Sequence, residues 1–139
     1  YFEVILEAVV KRNDKFHLFY KDFNDSGYSS ERVVETIVQG QGNSQKIVFS
    51  IPEGKVPNGL RLDFGVNYAQ EPIIFNNLII RFYNKEFHFE DKFVQLFRPS
   101  KFVSYNEIDK LIITEPIDGE YDPNFVSISL EDITFPLTD

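Results

Sequence analysis

"LRLDFGV", residues 60–66, sets apolar and polar side chains in strict alternation, with Leu60, Leu62, Phe64 and Val66 on one side and Arg61, Asp63 and Gly65 on the other. Successive side chains leave an extended strand in opposite directions, so a period of two describes a strand with one face in a core and one in water. The same period recurs on both sides of this segment. Upstream, "KIVFSI" (46–51) alternates through Ile47, Phe49 and Ile51, and "KFHLFYK" (15–21) sets Phe16, Leu18 and Tyr20 against His17 and Phe19. The opening "YFEVILEAVV" sets Phe2, Val4, Leu6, Ala8 and Val10 against Glu3, Ile5, Glu7 and Val9, a strand expected to be buried mainly on one side. Downstream, "IIFNNLIIRFY" (73–83), "EFHFE" (86–90), "KFVQLF" (92–97), "KLIITE" (110–115) and "FVSISL" (125–130) read as further β-type segments.

Turn residues punctuate the series at Asn24–Gly27, Pro52–Gly54, Pro57–Gly59, Asn84–Lys85, Asp118–Gly119 and Asp122–Asn124. Two stretches also carry helical signals. In "SSERVVETIV", Val33, Val34, Ile37 and Val38 share a helical face, but four β-branched side chains favour a strand. In "SYNEIDKLII", Ser104 and Glu107 have the spacing of a capping box, which sets one short helical turn against a strand reading. Short strands separated by Gly and Pro point to an all-β fold, an antiparallel β-sandwich or jelly roll with at most one or two short helical turns, spanning residues 1–139 as one domain.

Composition bounds the function. The chain is 42% hydrophobic and carries 15 Phe and 7 Tyr, enough bulky apolar material for an autonomous core. A formal charge of −8 argues against nucleic acid or an anionic membrane as the main partner. With no Cys there is no disulfide framework, no thiolate metal site and no cysteine nucleophile. No apolar run approaches the roughly 18–20 residues of a membrane span, so no direct membrane insertion is expected. The start, lacking Met and a signal peptide, reads as a piece excised from a longer, membrane-associated protein.

Chemistry is sparsely spelled out. Asp22, Asn24, Ser26 and Gly27 in "DFNDSG" mimic the start of a helix-flanked calcium loop, but the twelfth position, where a bidentate carboxylate belongs, is Val33. A tight loop between strands needs the same residues. Asp118, Glu120 and Asp122 in "EPIDGEYDPN" leave room for a structural calcium near strand ends, with a solvated acidic turn as the favoured reading; no other cofactor is expected. His17 and His88 alternate with Phe in strands, and no Ser lies in a G-x-S-x-G elbow, so a nucleophile and base have no footing. The candidate glycan platforms are the loop tyrosines Tyr28, Tyr68, Tyr105 and Tyr121, with Asn67, Gln70, Asn76 and Asn77 as polar partners. Each tyrosine has an alternative role as cover for the rim of a core.

Taken in order, "HLFYKDFNDSGYSSERVV", "QKIVFSIP", "GLRLDFG" and "IIFNNLII" resemble a β-sandwich domain found outside the membrane in bacterial polytopic glycosyltransferases and related cell-envelope polysaccharide proteins. The counterparts there are an "LFYD…G-x-x-F/Y" element with a Ser or Glu run, an "LRLDPG" segment and an "i-I-k-s-I-x-I" strand. The likeness covers residues 15–83, with Phe64 where Pro is usual. A looser likeness continues through "FRPSKFVSYNEIDKLIITEPIDGEYDPNFVS". The resemblance implies a jelly roll similar to carbohydrate-binding modules and without catalytic activity of its own. It would act as an accessory domain on the outer side of a bacterial cytoplasmic membrane or at the cell surface. Its partners would be the remainder of a membrane-anchored parent protein and, weakly, cell-envelope glycan. The alternative is a stand-alone carbohydrate-binding module, or a structural sandwich of a secreted or surface protein.

Overall fold

Most alternating segments become strands where the period of two places them. In the computed structural model, which describes residues 2–52 and 54–132, the strands are β1 (Phe2–Val9), β2 (Asp14–Lys21), β3 (Val33–Val38), β4 (Gln45–Ile51), β5 (Gly59–Asp63), β6 (Ile73–Phe82), β7 (Lys85–His88), β8 (Phe97–Pro99), β9 (Val103–Asn106), β10 (Leu111–Thr114) and β11 (Asn124–Ser127). They form two sheets, both antiparallel. One has the order β4-β1-β6-β10-β9, with β7 also paired to β6, and the other β3-β2-β5-β11-β8. Set side by side, the two orders match each strand with its neighbour in sequence: β4 with β3, β1 with β2, β6 with β5, β10 with β11 and β9 with β8. That nesting is the signature of a rolled-up hairpin, in which short loops carry the chain from sheet to sheet.

The inner faces supply the core. Leu60, Leu62 and Phe64 are wholly buried, as are Phe16 and Leu18 from β2 and Phe49 from β4. Val66 does not follow them: it is exposed, because β5 ends at Asp63 and the chain turns at Gly65, whose φ is +106°. The cause is Asp14. Its carboxylate accepts the backbone N–H groups of Val66 at 2.8 Å and Asn67 at 3.2 Å, pulling the chain out of the sheet. A Cβ on Gly65 would lie 2.3 Å from that carboxylate, so both the space and the backbone conformation call for glycine.

Several other expectations give way to tertiary packing. β1 is buried on both faces in part, since Ile5 and Val9 are also enclosed; Ile5 lies between Val48 and Ile79 of the flanking strands. β6 switches faces midway, with Ile73 and Phe75 inward on odd positions and Leu78 and Ile80 inward on even ones. The switch falls where its register with β1 shifts between Glu7 and Ala8, which places an extra residue, a bulge, at the two asparagines. Asn77 stabilises it: its Oδ1 accepts from the N–H groups of Leu78 and Glu90, and its amide nitrogen donates to Nδ1 of His88 at 2.9 Å.

"KFVQLF" is not a strand throughout. A 3-10 turn (Glu90–Lys92) leads into one turn of helix, α1 (Phe93–Leu96), and only Phe97 begins β8. Phe89, Phe93 and Phe97, four residues apart, thereby all point into the core. Ser104 and Glu107 form no capping box. Ser104 lies in β9 opposite Ile113, and the turn to β10 is built instead by Asn106, whose Oδ1 accepts from the N–H groups of Ile108 and Asp109. "SSERVVETIV" does contain strand β3, and "FVSISL" is strand only as far as Ser127. Of the turn expected at Pro52–Gly54, Glu53 lies outside the described residues. Among the described residues, the remaining helical element is a 3-10 turn at Leu130–Asp132.

Since Leu62 is fully enclosed, Leu62→Ala is expected to cost about 2–5 kcal/mol through lost burial and the cavity left behind. Chemical denaturation measures this, and a change below about 0.5 kcal/mol would place that face in solvent.

Candidate functional site

The antiparallel registers give the sandwich two poles. At one, Lys21 of β2 pairs with Gly59 of β5, and Phe2 of β1 with Phe82 of β6. At the other, β1 leads into β2 at Asp14, and β5 ends and β11 begins beside the loop that carries Tyr68. Asp14 organises this second pole. Besides Val66 and Asn67, it accepts a hydrogen bond from the Gln70 side chain at 2.9 Å, and it is nearly inaccessible to water.

The loop held by Asp14 presents Tyr68, which is 61% exposed. Its ring lies 4.9 Å from that of Tyr121, the two planes inclined by 50°. Tyr121 is the fixed member of the pair, its hydroxyl 2.7 Å from Oγ1 of Thr114. Burial, together with the negative Asp14, raises the Tyr121 phenol above its usual range, partly offset by the Thr114 hydrogen bond. The pair therefore offers one ring open to solvent, braced by one that is anchored.

Next in sequence, Asp122 joins a charged cluster on the outer face of the second sheet. Arg61 grips Asp63 through two hydrogen bonds, of 2.8 and 3.1 Å, and reaches Asp122 at 2.9 Å, with its guanidinium carbon 5.1 Å from the Phe19 ring centroid. Beside it, His17 bonds Glu35 at 2.9 Å. Burial pushes the Asp63 carboxyl above its usual range, an effect only partly offset by Arg61. For Arg61, burial works against the charge, but the two carboxylates more than compensate and hold the proton more tightly than usual. Both acids share one guanidinium, so neither stands as an isolated general acid or nucleophile.

Among the sequence candidates, the structure brings together Tyr68, Tyr121 and Asn67. Asn67 is already engaged: its amide nitrogen donates to the Asn13 carbonyl, and its Oδ1 accepts from the Ala69 N–H. Tyr28 lies elsewhere, over β5 and β11, where burial pushes its phenol up to about 12 against a hydrogen bond with Ser127. Tyr105 packs edge-on to Phe75 at 6.3 Å, as a rim residue of the core. Asn76 sits at the β6 bulge, bonded to Ser44. Of the acidic trio, Asp118 and Gly119 form a tight hairpin turn with φ of +50° and +81°, Glu120 is exposed, and Asp122 is paired with Arg61. Among the described residues, no three acidic or histidine side chains converge as a metal site. In "DFNDSG", Asp22 and Asp25 bond each other's backbone, and Asp25 pairs with Arg32, as in a strand-connecting loop.

Neither the Asp14 anchor nor the Arg61 cluster was singled out by sequence reasoning. The legible signal for the second was the charged side of "LRLDFGV" itself; Asp14 carries none. Comparison with protein-family models, curated proteins and solved structures finds no match to this chain.

Two measurements probe the site. The folded chain takes up the Asp63 proton before the unfolded chain does, so this group alone lowers stability as pH rises from the usual 3.8 through the raised folded value. Carboxyl-carbon NMR should place the Asp63 midpoint above 3.8, and Arg61→Leu should raise it further; a midpoint below 3.8 would overturn the assignment. Millimolar calcium should leave the melting temperature unchanged, since any ligand of the native state alone stabilises it. A rise abolished by Asp122→Ala would instead show a cation competing with Arg61.

Proposed function

We propose that this chain is a non-catalytic accessory β-sandwich of a bacterial cell-envelope membrane protein of the glycosyltransferase type. It works on the extracytoplasmic side and makes weak glycan contacts through Tyr68 and Tyr121. The observation that carries the glycan part is the open Tyr68 ring braced on Tyr121, since a fixed aromatic face beside polar groups suits the apolar face of a sugar ring. The resemblance of residues 15–83 supports the accessory role and its location. Among the described residues, no helix is long and apolar enough to cross a membrane, so on this reading any anchor belongs to the rest of the parent protein.

The binding is weak on physical grounds. A stacked aromatic contributes about 1 kcal/mol beyond area burial, and losses of translational and rotational freedom must first be overcome. The amides nearest the pair are already engaged within the protein, which leaves few donors for sugar hydroxyls. Millimolar affinity is the expected limit.

Titration with bacterial envelope oligosaccharides, followed by amide NMR shifts, tests the proposal. Saturating shifts around Tyr68 and Tyr121, abolished by Tyr68→Ala, support it. Silence across a broad glycan panel removes the binding role and leaves a scaffold whose partner is the remainder of the parent polypeptide.

A further inference from the structure

The pole opposite the tyrosine pair carries a different kind of surface. Three loops converge there, and each presents an exposed apolar side chain: Phe23 at 66%, Val56 at 58% and Tyr83 at 75%. Single exposed apolar residues are ordinary, but three around one cleft are not. The cleft they share with Phe2, Phe82 and Leu130 has a volume of about 510 Å³, inside the about 300–1,000 Å³ typical of small-molecule sites. Its geometry is built at some conformational cost. Tyr83 and Asn84, the two loop residues of the β6–β7 hairpin, have φ of +53° and +62°. That left-handed backbone is unfavourable for a bulky residue, and here it holds the Tyr83 ring 4.2 Å from Phe82, against the cleft wall.

Charge supplies the second observation. A smaller depression adjoins the cleft, sharing Val56 and Pro57 with it, and is lined by Lys21, Arg32 and Lys55 against a single described acid, Asp22. Arg32 is already paired with Asp25, and the Lys21 ammonium lies 5.0 Å from the Tyr28 ring centroid, a contact that leaves its charge in place, so among the described residues Lys21 and Lys55 are the uncompensated cations facing the depression. The cleft itself is lined by one charge of each sign, Lys85 and Glu131, so on a chain of net charge −8 the local reversal of sign lies at the depression.

We propose that this pole binds a single-chain amphipathic anion from solution, its apolar chain in the cleft and its anionic head at Lys21 and Lys55. The concavity favours a chain taken inside over a flat bilayer, which the overall negative charge would repel where anionic. The proposal is independent of the tyrosine platform, because no residue is shared between the two poles.

The test uses dodecanoate below its micelle-forming concentration, added to the full chain and followed by amide shifts. Saturable shifts should cluster at Phe23, Val56, Tyr83 and Leu130, and neutral dodecyl maltoside should bind about tenfold more weakly for want of the charged contact. The double variant Lys21→Gln/Lys55→Gln should reduce dodecanoate to the level of the neutral ligand. Phe23→Ser/Tyr83→Ser, at exposed positions that leave the core intact, should abolish both, while Tyr68→Ala should change neither. Undiminished binding by Phe23→Ser/Tyr83→Ser, or equal binding of the neutral ligand, would overturn the assignment. So would silence toward dodecanoate with cosedimentation on phosphatidylglycerol vesicles, which would make the pole a bilayer contact.

Discussion

A continuous line of phenylalanine rings joins the two sheets, and the rest of the structure is arranged around it. Phe16 stacks on Phe64 at 5.5 Å, Phe64 meets Phe125 at 5.4 Å, and Phe125 meets Phe93 at 4.9 Å. From Phe93 the line branches to Phe75 at 4.5 Å and to Phe97 at 4.8 Å, and Phe97 continues through Phe89 to Phe87. Offset and tilted ring pairs of this kind add about 0.5–1.5 kcal/mol each beyond their buried area. They also explain why the chain interrupts its strands with α1: one helical turn is the means of placing Phe93 between β6 and β11, where a strand would have turned alternate side chains away.

The two poles follow from how this core ends. At one, Asp14 replaces ladder hydrogen bonds with its own carboxylate, stops β5 at Asp63 and lifts the Tyr68 loop against Tyr121. A buried carboxylate is costly unless its acceptors are filled, and here backbone and side-chain donors fill them, so the loop is held by necessity. At the other, the core runs out into Phe2, Phe82 and Leu130, which the loops flank with apolar groups instead of closing with polar ones. A polar, aromatic rim and an apolar cleft with lysines in the depression beside it therefore sit at opposite ends of the sandwich.

The all-β sandwich was legible from residues such as Leu60, Leu62 and Phe64, because burying one face of a strand forces a period of two that no other regular structure shares. Turn chemistry was equally plain at Asp118–Gly119, where positive φ selects the residues. Phe89, Phe93 and Phe97 carried a period of four that the same stretch concealed beneath an apparent alternation. The bulge at Asn76 and Asn77 was hidden too, since an extra residue reverses the faces without altering composition.

By itself the sequence determined the fold class and the places of most strands, since these rest on local periodicity. Tertiary structure alone decided which tyrosine is open to solvent and which is packed: Tyr68 and Tyr28 stand in similar polar loops, but Tyr68 is exposed while Tyr28 lies over β5 and β11. It alone also decided that Asp14 anchors a loop 52 residues away and that Phe23, Val56 and Tyr83 meet around one cleft. Contacts between residues distant in sequence are set by sheet order and register, and neither is written in any single segment of the chain.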